Sequence, residues 1–186
     1  EKTEIIKYLS KYKSQYNISF TYQNPNEIEY TGAIKSAKHL FGENNIVLLP
    51  DTILELSDGV DLISELKENL REKGFSFLFK PESNEKMLNT KGCLQLDKNN
   101  RVIDYEDKPS QNMGRFNGYW CAFAFKKEVF DECISFMEQS TLKLKKPNTV
   151  IEETNIFGSK VILVEEYKDL GTWEEVGKLL SKNYDS

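Results

Sequence analysis

Asn45-Ile46-Val47-Leu48-Leu49-Pro50-Asp51-Thr52 is an apolar run that stops abruptly at a carboxylate. Such a run reads as a buried parallel strand, apolar on both faces. In open α/β sheets, ligands occupy the crevice beyond the carboxyl ends of the strands. Asp51 therefore falls where a metal or a phosphate is handled. On this stretch alone, the better reading of Asp51 is a turn aspartate that caps the next segment, because aspartate after a strand is common turn chemistry.

Working outward, the flanking segments alternate between strand and helix. Residues 2 to 13 carry Ile5, Ile6 and Leu9 on one face, a short amphipathic helix. Ile18-Ser19-Phe20-Thr21-Tyr22 alternates and predicts a strand. Ala33, Ile34, Ala37, Leu40 and Phe41 predict a helix from Thr31 to Phe41, stopped at Gly42. After Asp51, the residues Val60, Ile63, Leu66 and Leu70 mark another helix, stopped at Gly74, and Phe75 to Phe79 the next strand. The alternation implies a doubly wound α/β fold around a mostly parallel sheet. The sheet is mixed, because Gly92 to Asp97 and Arg101 to Glu106 read as a hairpin around Asp97-Lys98-Asn99-Asn100. Tyr119 to Phe125 has the composition of a central strand. Glu128 to Glu138 is a helix with Val129, Cys133, Phe136 and Met137 inward, and Val161 to Val164 a further strand. Thr172-Trp173-Glu174-Glu175 is a capping box that opens the last helix.

Composition excludes several classes of function. The chain has 186 residues, enough for one domain with a sizeable core, and no repeat or linker interrupts it. Net charge is −5, and Lys143 to Lys146 supplies only three lysines, so a broad nucleic-acid surface is not expected. No apolar run approaches the ~20 residues that cross a bilayer. Cys93, Cys121 and Cys133 are odd in number and lie in apolar surroundings. Buried free thiols in a reducing cytoplasm account for them. The single histidine, His39, lies on the polar side of its helix, which leaves no Ser/His/Asp set. Phe123, Phe125, Phe130 and Phe136 form a core stripe.

The remaining candidates for chemistry are polar residues at strand ends. Asp169 stands in Lys168-Asp169-Leu170-Gly171-Thr172, just before a helix start. If its strand runs the same way as the one before Asp51, the two carboxylates meet over one crevice. Two carboxylates completed by substrate phosphates are a usual Mg²⁺ arrangement. Two independent turn aspartates fit the same residues. Lys108 ends a strand beside Glu106 and Asp107, as a phosphate-neutralising residue or as a solvated strand end. Asn117-Gly118 opens the aromatic strand, either as a sugar contact with close backbone approach or simply as a turn.

Taken together, these segments resemble the sugar-1-phosphate nucleotidyltransferases, the nucleoside-diphosphate-sugar pyrophosphorylases. Tyr30-Thr31-Gly32-Ala33-Ile34 is similar to that family's small-residue turn entering a helix. Leu48-Leu49-Pro50-Asp51 resembles its strand ending in Gly-Asp. Lys91-Gly92-Cys93-Leu94-Gln95-Leu96-Asp97, then Arg101-Val102-Ile103, then Glu106-Asp107-Lys108-Pro109, resemble its Tyr-Gly-Val-Val, aspartate turn and Glu-Lys-Pro. Asn117-Gly118-Tyr119 and Asp169-Leu170-Gly171-Thr172 resemble its Thr/Asn-Gly-Ile/Leu-Tyr and Asp-Ile/Thr-Gly-Thr. Five weak motifs in the right order make a specific signal. The resemblance implies that Asp51 and Asp169 bind Mg²⁺ and that Lys108 holds the sugar phosphate. It also implies that Asp107 and Asn117 hold the sugar, with the main chain at Gly92 and Gly118 close to substrate. The implied reaction joins a nucleoside triphosphate to a sugar 1-phosphate and releases pyrophosphate.

The departures from the pattern are specific. The family's Gly-rich N-terminal signature is missing, Pro50 replaces a glycine, and a base-contacting glycine is replaced near Glu29-Tyr30. Two strands that in the family separate Ile18–Tyr22 from the Asp51 strand are absent as well. Residues 1–186 are therefore expected to be a single, N-terminally incomplete nucleotidyltransferase-like domain. On its own it should be inactive, and the missing strands would come from an upstream segment, an oligomer or a strand-donating partner. Two rivals stay open: a catalytically inactive binding or regulatory domain, and a metal-dependent glycosyltransferase. The second usually carries Asp-x-Asp, which Asp51-Thr52-Ile53 lacks.

Overall fold

The computed structural model describes residues 2–27, 29–145, 154 and 156–184. The chain divides into two compact units, Glu1–Gly42 and Glu43–Ser186.

The first unit holds two short helices, α1 (Lys2–Ser10) and α2 (Glu29–Ser36), followed by a 3₁₀ turn at Lys38–Leu40. The helix expected over Thr31 to Phe41 thus starts earlier and ends in a tighter turn. Ile18–Tyr22, expected as a strand, is irregular backbone. Alternation alone makes no ladder, because a strand needs a neighbour's N–H and C=O groups. The described residues of this unit contain no strand to supply them. Side chains hold the segment instead. Thr21 Oγ1 donates to Ser36 O (3.3 Å), and the Asn24 N–H donates to Ser36 Oγ (3.0 Å).

The second unit is built on a six-stranded mixed sheet. Its strands are β1 (Asn44–Val47), β3 (Phe75–Pro81), β4 (Gly92–Leu96), β5 (Val102–Asp107), β6 (Gly118–Lys126) and β7 (Val161–Leu163). The order is β5-β4-β6-β3-β7, with β1 also paired to β6. Among the described residues, only β3 and β7 pair in parallel. The expected mixed α/β sheet is present, yet it has fewer parallel neighbours than the strand–helix alternation suggests. The reason is β6, which runs antiparallel to β1, β3 and β4 and so separates strands that share one direction. β1 is correspondingly not buried on both faces. It alternates exposed and half-buried residues, and among the described residues it pairs with no strand but β6.

Helices cover the two faces. Asp61 caps α3 (Leu62–Lys73) by accepting from the Ile63 and Ser64 N–H groups, and Gly74 closes it. Leu66 and Leu70 of α3 pack on Leu78, Ala122, Ala124, Ile162 and Val164. Val60 and Ile63, on the same predicted stripe, are exposed. The opposite face is aromatic. Phe75, Phe77, Phe79, Phe123 and Phe125 are buried there. Helix α5 (Phe130–Lys145) meets this face through Phe130 against Phe125 and Phe136 against Tyr105. The hairpin forms as expected: Asp97 Oδ1 accepts from the Asn99 and Arg101 N–H groups across the turn. A short helix α4 (Glu85–Leu88) links β3 to β4.

Two features absent from the sequence reading position the site. The first is a two-stranded ribbon of β2 (Thr52–Glu55) and β8 (Glu166–Asp169). Its cross-strand pair Leu54 and Tyr167 packs onto the sheet. The second is a bulge in β6. Phe79 pairs with Trp120 and Leu78 with Ala122, which leaves Cys121 as an extra residue. The extra residue reverses the alternation. Trp120 joins Phe77 and Phe123 on the aromatic face, while Tyr119 meets Tyr167 of the ribbon on the other. The three cysteines are buried and unbridged. No described helix is long and apolar enough to cross a membrane. The last helix is α6 (Trp173–Tyr184), and Thr172 Oγ1 accepts from the Glu175 N–H at its start.

Candidate active site

β3 pairs with β6 along its length, so β1 and β4 must share the opposite edge of β6. The C-terminal end of β1 reaches Phe123 and the N-terminal end of β4 reaches Tyr119. The two ends approach each other over Trp120–Ala122. Asp51 follows the first and Lys91 precedes the second. The ribbon then delivers the other acid, since Thr52 is paired with Asp169 and the Leu170 N–H donates to Asp51 O at 2.7 Å.

The carboxylates of Asp51 and Asp169 converge on Gly171. A Cβ at Gly171 would stand 3.0 Å from Asp169 Oδ1 and 3.6 Å from Asp51 Oδ2. Asp169 is held on both oxygens. Its Oδ1 accepts from the Gly171 N–H at 3.0 Å, and its Oδ2 pairs with Lys91 Nζ at 2.8 Å. The Lys91 ammonium, and after it the Gly171 N–H, hold the Asp169 carboxyl below the usual carboxylate range. Lys91 also lies over the Tyr167 ring, 5.2 Å from its centroid. Burial, with Asp169, Cys121 and Asp51 nearby, pushes the Tyr167 phenol up. Tyr119, edge-on to Tyr167 at 5.4 Å, is pushed up chiefly by burial. Both phenols therefore stay neutral donors beside the acids. Lys80, on the same side of the sheet, donates to the Glu165 carbonyl.

Asp107 and Lys108 reach this centre through the hairpin. Gly92 is paired with Asp107, and the Lys108 N–H donates to Lys91 O at 2.9 Å. Lys108 is exposed and takes a left-handed conformation at φ 49°. Gly92 is needed for close approach, and what approaches it is Trp120. A Cβ there would stand 2.8 Å from Trp120 Cδ1, with Nε1 nearer still. Asn117 lies toward the Leu96 end of β4, away from Lys91. It fastens strands: its Oδ1 accepts from the Leu96 N–H at 2.6 Å, and its carbonyl accepts from the Glu82 N–H at 3.0 Å. Gly118 sits where β6 presses on β3, and a Cβ would meet Phe79 Cζ at 2.7 Å and Lys80 O closer.

The structure thus brings Asp51, Asp169, Asp107 and Lys108 around Lys91 and sets Asn117 apart. Lys91 and Tyr167 are the neighbours that sequence reasoning passes over, although Lys91 is the first residue of the Lys91–Asp97 motif. Among the described residues, no group of three or more His, Cys, Asp or Glu side chains could hold a metal ion. Asp51 and Asp169 supply two hard oxygen donors, which suits Mg²⁺ in kind because it takes few protein ligands and completes its shell with water and phosphate.

Solved structures share this fold. Apo UDP-glucose pyrophosphorylase matches with a TM-score of 0.66 at 13% identity, over 100% of this chain and 70% of that one. A Bacillus anthracis protein assigned as a glucose-1-phosphate thymidylyltransferase, in complex with sucrose, matches at TM-score 0.64 and 16% identity, over 99% and 72%. The UTP-bound UGPase of Acinetobacter baumannii matches at TM-score 0.56 and 11% identity, over 83% and 56%. No curated protein matches the sequence. The family profile described as nucleotidyl transferase matches residues 1–183, and the chain belongs to that family.

Proposed function

We propose that the protein transfers a nucleotidyl group from a nucleoside triphosphate to a sugar 1-phosphate, with Mg²⁺ as cofactor. The convergence of the Asp51 and Asp169 carboxylates on Gly171, beside the Lys91–Lys108 hairpin end, carries this reading. A phosphate oxygen of the sugar 1-phosphate would attack the α-phosphorus. The bond from that phosphorus to the bridging oxygen would break, and pyrophosphate would leave. Mg²⁺ bound to the acid pair would offset the charge that develops on the triphosphate. Lys108 would neutralise the sugar phosphate from its exposed strand end. Asp107 would bind sugar hydroxyls, and the main chain at Gly92 would border them. The neutral Tyr119 and Tyr167 phenols and the half-buried ribbon would limit water on the inner side of the acids. A cytoplasmic setting suits three unbridged thiols.

The test is pyrophosphate release by the full-length protein with Mg²⁺, a nucleoside triphosphate and a sugar 1-phosphate, compared with its Asp51→Asn variant. Release that disappears in the variant, with near-ultraviolet circular dichroism unchanged, is the expected result. Equal turnover in the two proteins rules out Asp51 as a metal ligand. Sugar transfer without pyrophosphate release would assign a glycosyltransferase instead.

A further inference from the structure

Each oxygen of Asp169 already has a donor, and one of the two donors is a full positive charge. We propose that Lys91 is the resident counter-ion of Asp169 and competes with the divalent cation for it; this rests on the assignment of Asp51 and Asp169 as the cation's ligands. The two donors of Asp169 are not equivalent. The Gly171 N–H is fixed by the chain that leads into α6, while the Lys91 ammonium sits on a stem with four rotatable carbons. Only the ammonium can leave without unfolding the turn.

Charge requires that it leave. An ammonium 2.8 Å from a carboxylate oxygen would lie within a few ångströms of any dication on that carboxylate. Two such like charges repel strongly near a protein surface. The Tyr167 ring gives the ammonium a second favourable contact, so the closed pair is a defined state rather than a loose surface bridge. The lysine side chain is only 21% exposed, in keeping with that. The Lys91 main chain is bonded to that of Lys108, so the released ammonium belongs to the same hairpin end as the lysine assigned to the sugar phosphate. Cation binding and phosphate binding would then favour each other.

Mn²⁺ binding to the full-length protein, measured without nucleotide by calorimetry and by electron paramagnetic resonance, tests this. Lys91→Met and Lys91→Gln are expected to bind Mn²⁺ at least tenfold tighter than the unaltered protein, and Lys91→Arg to match it. Asp51→Asn and Asp169→Asn are expected to weaken binding. If the two neutral Lys91 variants bind no tighter while the aspartate variants lose affinity, Lys91 is not a competitor although the acid-pair assignment survives. If binding ignores both aspartate variants, the acid-pair assignment falls and this inference with it. The two neutral variants differ in polarity, so misfolding of one leaves the other to decide.

Discussion

Trp120 lies directly against Gly92, so the glycine is required by a neighbouring side chain within the fold. Gly92→Ala must push the indole or bend β4. It is expected to destabilise the protein by about 1–3 kcal/mol, the usual cost of overpacking. Trp120→Phe, which gives back space, should recover part of that loss in a double-mutant cycle read by urea unfolding. Additive effects of the two substitutions would contradict the contact.

Phe77 is fully buried between Phe75, Phe123 and Trp120. Phe77→Ala should cost about 3–5 kcal/mol, the range for emptying a large aromatic site. The expected signature is a lower denaturation midpoint with an unchanged denaturant slope.

The three thiols should be inert in the folded chain. Burial pushes Cys93, Cys121 and Cys133 each up to about 12. At pH 8 the thiolate fraction is then on the order of 10⁻⁴, and the thiolate is the reactive form. Iodoacetamide at pH 8 should leave all three unmodified in the native protein and label all three in denaturant.

Asp61 gives stability a defined pH dependence. Its bonds to Ser64 and Ile63 hold its carboxyl below the usual range, the Ser64 hydroxyl first. A group with a lowered folded pKa contributes above its unfolded value and loses that contribution as pH falls through the folded one. Asp61→Ala should therefore lower the melting temperature at pH 6 by an amount that shrinks below about pH 4, the ordinary range for aspartate. An equal difference at pH 6 and pH 2 would show that the cap acts through something other than the ionised carboxylate.

Lys108→Ala should raise the Michaelis constant for the sugar 1-phosphate more than that for the triphosphate, because its strand end is bonded to Lys91 across the hairpin. An effect confined to the triphosphate would reverse the assignment of the two substrates around this lysine.

Wherever one residue governs a local boundary, the fold is legible in the sequence. Gly74 stops α3, Asp97 organises the hairpin, and Thr172 opens α6. Pairing is less legible, because it depends on residues distant in sequence. The apolar run before Asp51 looks like an interior parallel strand, yet its neighbour β6 is antiparallel and leaves it half-exposed. Ile18–Tyr22 alternates like a strand and has no ladder to join. Thr52–Glu55 is too short to show periodicity, so the ribbon it forms with Glu166–Asp169 is visible only in the structure. For the candidate site, the positions of Asp51 and Asp169 after strand-like runs anticipate their meeting. Lys91 does not stand out, because nothing local distinguishes a lysine that reaches 78 positions along the chain from one that is merely solvated.

Cys121 contributes neither a bond nor a charge to the chemistry at Asp51 and Asp169. What it contributes is a count of one. With it, the residues ahead of it along β6 fall out of step with those behind, so Tyr119 borders the acids and Trp120 lies in the core. Were Cys121 instead paired in register opposite Phe79, the indole would swing toward Tyr167, while the phenol would be driven among phenylalanines that offer its hydroxyl nothing. The chain therefore sorts a core aromatic from a site aromatic by parity, and residue 121 acts as the switch in that arithmetic.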